Sequence, residues 1–176
     1  MLAIAAMMHH ALRLRLDSAA LVANWRWLQD RARAPAGAAV KADGYGLGAR
    51  EVVRLLGEAG CRDFFVSNWA EAEALGALPE GGALSVLHGV GPDDAAAALA
   101  SDARPVLNTP VQVARWKEIA PGRACDLMVD TGMNRLGLRV DEMVLAEGLV
   151  VDTVMSHLAC ADENSMQHEE PYQDLT

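Results

Sequence analysis

Apolar positions along the chain switch repeatedly between a period of two and a period near 3.6. Residues 12–16 (LRLRL) alternate as a half-buried strand does. Asp17 and Ser18 then supply an N-cap, and residues 19–34 follow at helical spacing, with Leu21, Trp25 and Leu28 on one face. Pro35 and Gly37 end that helix. Residues 38–41 read as a short apolar strand, residues 43–48 as its glycine-rich exit loop, and residues 49–59 as the next helix. The unit recurs as strand 63–67 with helix 68–78, and strand 84–88 with helix 92–100. Strand 104–108 precedes helix 110–120, capped by Thr109. Strand 126–130 leads through a polar loop to a helix near 140–147, and 151–157 is strand again.

Counted from residue 38, this predicts six strands, the first five each followed by a helix. Parallel strands need such crossovers, so the class is α/β, as a doubly wound sheet or a (β/α)8 barrel. No GxGxxG follows the first strand, which turns the reading toward the barrel. A closed barrel takes eight strands and typically about 250 residues. The 176 residues supply about six βα units, so the expected fold is a partial (β/α)8 TIM barrel. Residues 1–11 read as a disordered start, 12–162 as the barrel portion, and 163–176 as a polar tail without apolar periodicity.

Composition narrows the function classes. Hydrophobic residues make up 52% and charged residues 22%, as in ordinary soluble domains. A net charge of -9 argues against a nucleic-acid surface and against an anionic membrane. The apolar start, MLAIAAMM, is too short to span a bilayer and has no basic n-region, so a cytoplasmic protein is expected. Cys61, Cys125 and Cys160 are odd in number and widely spaced. They read as reduced, buried thiols rather than as a disulfide framework or zinc ligands, and no metal site is expected.

One composition anomaly points to chemistry. The chain has thirteen arginines but only two lysines, Lys41 and Lys117. Lys117 lies mid-helix in a solvated setting. Lys41 ends an apolar strand, just before a glycine loop, and barrel active sites lie at the C-terminal ends of strands. A lysine amine forms imines and an arginine does not. By position alone Lys41 also reads as a lysine snorkelling from a strand end, the commoner occupant of such a place. The loop after it, DGYGLG, offers backbone amides that can approach an anion and a tyrosine hydroxyl, Tyr45, that can donate to one. It reads equally as a flexible exit loop. A second block, DTGMNRLG, residues 130–137, again follows a strand. Its Arg135 is either a carboxylate clamp or a surface charge. A third, SHLA followed by CADE, places His157 after the sixth strand. His88 and the tryptophans Trp25, Trp27, Trp69 and Trp116 read as structural.

Together these blocks carry a resemblance. AVKADGYG (residues 39–46) resembles the pyridoxal-phosphate attachment motif of the alanine racemases, DTGMNRLG is similar to a second signature of that family, and SHLA…ADE to a third. The resemblance runs over residues 12–163. It implies a fold-type III pyridoxal 5'-phosphate enzyme that interconverts L- and D-alanine, supplying D-alanine for peptidoglycan, and that works as a homodimer. By that resemblance Lys41 carries the cofactor as an imine and is the catalytic base, Tyr45 holds its phosphate, His157 lies against its ring, and Arg135 binds the substrate carboxylate. Many family members carry a carbamylated lysine two residues before the aspartate of DTGM, where this chain has Met128.

In the family, the seventh and eighth strands and a C-terminal β domain follow, the latter giving a second base from a tyrosine across the dimer. The sequence stops at Thr176, so the expectation is a truncated chain lacking these parts and inactive alone. Competing readings are another barrel pyridoxal-phosphate enzyme, a single-domain pyridoxal-phosphate carrier, and a non-functional fragment. DTGMNRLG argues against the first two.

Overall fold

The computed structural model describes residues 14–159. Six strands form one sheet: β1 (Ala38–Ala39), β2 (Asp63–Val66), β3 (Ala83–Val86), β4 (Arg104–Leu107), β5 (Ala124–Val129) and β6 (Val150–Ser156). They lie in chain order, β1-β2-β3-β4-β5-β6, and every neighbouring pair is parallel. A doubly wound sheet reverses its strand order at a switch point. An unreversed order with crossovers of one hand puts every helix on one face, as in a barrel wall. The partial (β/α)8 expectation therefore describes this sheet.

Helix α1 (Ser18–Arg31) precedes the sheet; the crossovers contain a short turn α2 (Lys41–Tyr45), then α3 (Ala49–Ala59), α4 (Trp69–Leu75), α5 (Ala95–Ala100) and α6 (Pro110–Ile119). Local chemistry sets their starts. Asp17 accepts from the Ala20 N–H at 3.0 Å, and Thr109 accepts from the Gln112 N–H ahead of Pro110. The core lies between the sheet and these helices, where Phe64, Val86, Leu107, Leu127 and Trp116 are fully buried.

The other face of the sheet carries a polar layer. Asp126 is fully buried on β5; it accepts from the Ser85 hydroxyl at 2.6 Å and from Arg104 Nε at 3.1 Å. Arg104 also reaches Asp152 on β6 at 3.1 Å. One cation thus joins three adjacent strands, and the buried carboxylate has both oxygens satisfied.

Several sequence expectations change. The strand expected over 12–16 is absent at residues 14–16, which have no regular structure, while residues 12 and 13 lie outside the described residues. Alternating Arg and Leu give a strand pattern, but among the described residues no strand pairs with residues 14–16. The first helix ends at Arg31 rather than residue 34, and the strand expected over 38–41 is only Ala38–Ala39. The helix near 140–147 is a 3-10 stretch, Val140–Ala146, with none of its side chains buried. Residues 1–11 and 163–176 lie outside the described residues, as does Cys160.

Candidate functional site

The turn after β1 holds three of the four non-glycine residues with positive φ among the described residues. Val40 is buried and donates its N–H to Phe65 O at 2.8 Å, which fixes the strand end. From there Ala42 (φ 51°, ψ 48°), Asp43 (φ 51°, ψ 49°), Gly44 (φ 64°, ψ 38°) and Tyr45 (φ 56°) are all left-handed. The stretch expected as a loop is thus one left-handed turn. Each non-glycine residue so held costs roughly 1–2 kcal/mol. Such strain persists only where the surroundings over-determine it.

Backbone bonds supply part of that hold: Gly44 N–H to Val40 O at 2.9 Å, and Gly48 N–H to Asp43 O at 2.8 Å. Side chains supply the rest. Asp43 accepts from the Ala49 N–H at 2.8 Å, and Glu71 accepts from the Ala42 N–H at 3.0 Å. Lys41 opens the turn half-buried, with Nζ 5.9 Å from the centre of the Tyr45 ring. The Tyr45 side chain is exposed, and its hydroxyl has no partner among the described residues. A Cβ placed at Gly46 or Gly48 would meet nothing within 4 Å, so the space over these backbone positions is open. A cavity of 410 Å³ lies between this turn, α3 and α4, lined by Val40, Asp43, Ala49, Val66, Glu71 and Leu75.

The second loop is organised by Asp130, the residue after β5. Its carboxylate accepts from the N–H groups of Gly132 and Asn134, both at 3.0 Å. These bonds favour the anion and hold its pKa below the usual carboxylate value. Asn134 is left-handed at φ 54°. Asp130 N–H donates to Leu138 O and Leu138 N–H to Met128 O, so the loop closes back onto β5. Gly137 sits in the crossing: a Cβ there would lie 2.4 Å from Asp130 N and 2.7 Å from the Val129 carbonyl carbon. Arg135 stands exposed on this loop, with no carboxylate paired to it among the described residues. The Thr131 and Ser156 hydroxyls hydrogen-bond to each other, tying the loop to the end of β6, one residue before the exposed His157. Met128 is buried on β5 beside Met155.

The structure therefore groups the sequence-derived residues in two pairs. Lys41 and Tyr45 share the turn after β1, and Arg135 and His157 share the linked exits of β5 and β6. All four follow C-terminal strand ends. β1 and β6 are not neighbours in the sheet. Trp69 and Trp116 are core residues as expected; Trp69 donates to Gly89 O at 2.8 Å, and Trp27 is exposed. Asn108, after β4, is buried, with its amide donating to Leu87 O and Val106 O and its Oδ1 without a partner among the described residues.

Sequence reading missed Glu71. The signal was present as Asn68-x-x-Glu71, the spacing of a helix N-terminal capping pair.

Parallel strands in chain order, helices on one face, and polar loops gathered at the strand exits define a barrel-type protein with a strand-end site. Its sequence matches the family described as "Alanine racemase, N-terminal domain" over residues 16–175, and the chain belongs to that family. It is 45% identical over 158 residues to the alanine racemase of Dinoroseobacter shibae, covering 85% of this chain and 45% of that one. It is 42% identical to the catabolic alanine racemase of Agrobacterium fabrum, covering 85% and 42%. The fold matches the crystal structure of alanine racemase from Bartonella henselae with covalently bound pyridoxal phosphate, at TM-score 0.82 and 30% identity over 91% of this chain and 48% of that one. The biosynthetic alanine racemase of Pseudomonas aeruginosa matches at TM-score 0.73 and 27% identity, covering 89% and 48%. The chain spans less than half the length of each of these relatives. Among the described residues, no helix is long and apolar enough to cross a membrane.

Proposed function

We propose that this chain forms the cofactor-holding part of an alanine racemase, with Lys41 as the residue that would hold pyridoxal 5'-phosphate. The observation that carries the reading is the left-handed turn that begins at Lys41 and sets its Nζ 5.9 Å from the Tyr45 ring, at a strand exit, in a chain 45% identical to a named alanine racemase.

The residues suit that group chemically. Lys41 is a primary amine on a half-buried turn, which an aldehyde can reach. The Tyr45 hydroxyl, without a partner among the described residues, and the open backbone at Gly46 and Gly48 suit a phosphate. Arg135, without a carboxylate partner among the described residues, suits the carboxylate of an amino acid. His157 would pack against the ring. When bound, pyridoxal phosphate acts as an electron sink for the charge left on the substrate Cα.

This chain's own residues then divide the work. Arg135 holds the alanine carboxylate and so fixes which Cα–H bond faces Lys41. Lys41 Nζ takes the Cα proton from one face and returns a proton there. Racemisation also requires a second acid–base group on the opposite face.

The test is Cα hydrogen exchange. The chain, pyridoxal phosphate and L-alanine are incubated in D2O, and deuterium at Cα is read by NMR. The expected result is incorporation with the wild-type chain and background incorporation with Lys41→Ala. Equal incorporation by both would overturn the assignment of Lys41.

A further inference from the structure

Glu71 lies outside the AVKADGYG, DTGMNRLG and SHLA segments, yet it touches the Lys41 turn directly. It is the third residue of α4, and the helix start fixes it: Asn68 Oδ1 accepts from the Glu71 N–H at 2.9 Å. In an ordinary capping box the acidic side chain at this position returns to the N–H of the cap residue. Here it does something else. Oε2 reaches one residue further back and accepts from the Ser67 N–H, at the exit of β2, at 2.7 Å. Oε1 crosses to the neighbouring strand exit and accepts from the Ala42 N–H at 3.0 Å, across 29 residues of sequence.

One carboxylate therefore joins the exits of β1 and β2. The N–H it holds belongs to the residue directly after Lys41, the first left-handed residue of the turn. The other end of the turn is held separately by Asp43, through Ala49. Lys41 thus sits between Val40, held by Phe65 O, and the strained Ala42, held by Glu71. Both N–H groups donate to an anion, the stronger kind of hydrogen bond.

We propose that Glu71 is a positioning residue for Lys41: its carboxylate pins the entry of the left-handed turn and so sets where the lysine amine points. The consequence for cofactor capture rests on the assignment of Lys41 made above.

The chain provides its own internal reference, because Lys117 is its only other lysine. The full chain, wild type, Glu71→Gln and Glu71→Ala, is exposed briefly to pyridoxal phosphate, reduced with borohydride, and mapped for the ratio of labelled Lys41 to labelled Lys117. Hydrogen exchange at the Ala42 and Ser67 amides is measured in parallel without cofactor. Glutamine keeps one acceptor oxygen and turns an NH2 donor toward the second N–H, so it should release one of the two amides. Alanine should release both. The expected ratio falls about tenfold in Glu71→Ala, as for loss of a charged acceptor, and by less in Glu71→Gln.

A wild-type ratio in both variants would overturn the proposal, as would unchanged protection of Ala42 in Glu71→Ala. If Glu71→Ala does not fold, Glu71→Gln decides by the same two readouts. If wild-type Lys41 is labelled no faster than Lys117, the assignment of Lys41 fails. The amide protections then decide the pin alone: lost in the variants, it stands; retained, it falls.

Discussion

Asp130 and Arg135 sit five residues apart and do opposite things. Asp130 spends its charge on its own loop, accepting from Gly132 and Asn134, whereas Arg135 has no carboxylate to neutralise it among the described residues. The bonds to Asp130 lower its pKa in the folded chain. Its contribution is therefore present above the ordinary carboxylate value of about 3.9 and is lost as pH falls through the lower folded value. Hydrogen exchange at Gly132 and Asn134 should keep its protection at pH 5 and lose it only on stronger acidification. Asp130→Asn should remove most of this acid dependence, and a variant with the wild-type profile would contradict the assignment. Arg135→Ala should weaken alanine binding to the pyridoxal-phosphate-loaded chain by about 1.5–3 kcal/mol, the worth of a charged hydrogen bond. Calorimetric titration with alanine reads this, and unchanged affinity would remove Arg135 from the site.

Among the elements, those that sequence marked best were those with a chemical start signal. Thr109 with Pro110 fixed the start of α6, and Asp17 that of α1. Those it misjudged were set by tertiary hydrogen bonds. The turn at Lys41–Tyr45 contains Ala42, whose side chain carries no preference for left-handed backbone; Glu71 holds it from 29 residues away, and Asp43 adds a local bond to the Ala49 N–H. Leu14 and Leu16 fit a strand period but pair with no strand among the described residues, and residues 14–16 stay irregular. The Asp130–Gly137 loop was legible as a motif, though not the reason for its glycine. That reason is the close crossing of backbone at Gly137. Gly137→Ala would also impose a side chain on φ 125°. It should cost about 1–3 kcal/mol of strain, more if the crossing opens. Thermal unfolding reads the loss, and an unchanged Tm would show that the loop yields without cost.

Over the whole molecule, strand order carried what single residues could not. Six parallel strands in chain order put the exits of β1, β5 and β6 on one side of the sheet, so loops far apart in sequence contribute to one rim. Lys41 and Arg135 were both legible as strand-end residues, because apolar runs before them ended in glycine-rich segments. The link between Thr131 and Ser156 and the Arg104–Asp126–Asp152 layer were not, because each pairs residues brought together only by the sheet. The central claim is that this rim places one amine, Lys41, to capture an aldehyde cofactor. Peptide mapping after incubation with pyridoxal phosphate and reduction with borohydride tests it most directly, since Lys117 is the chain's only other lysine. Label on the Lys41 peptide is the predicted result, and label on the Lys117 peptide alone, or none in a folded sample, would contradict it.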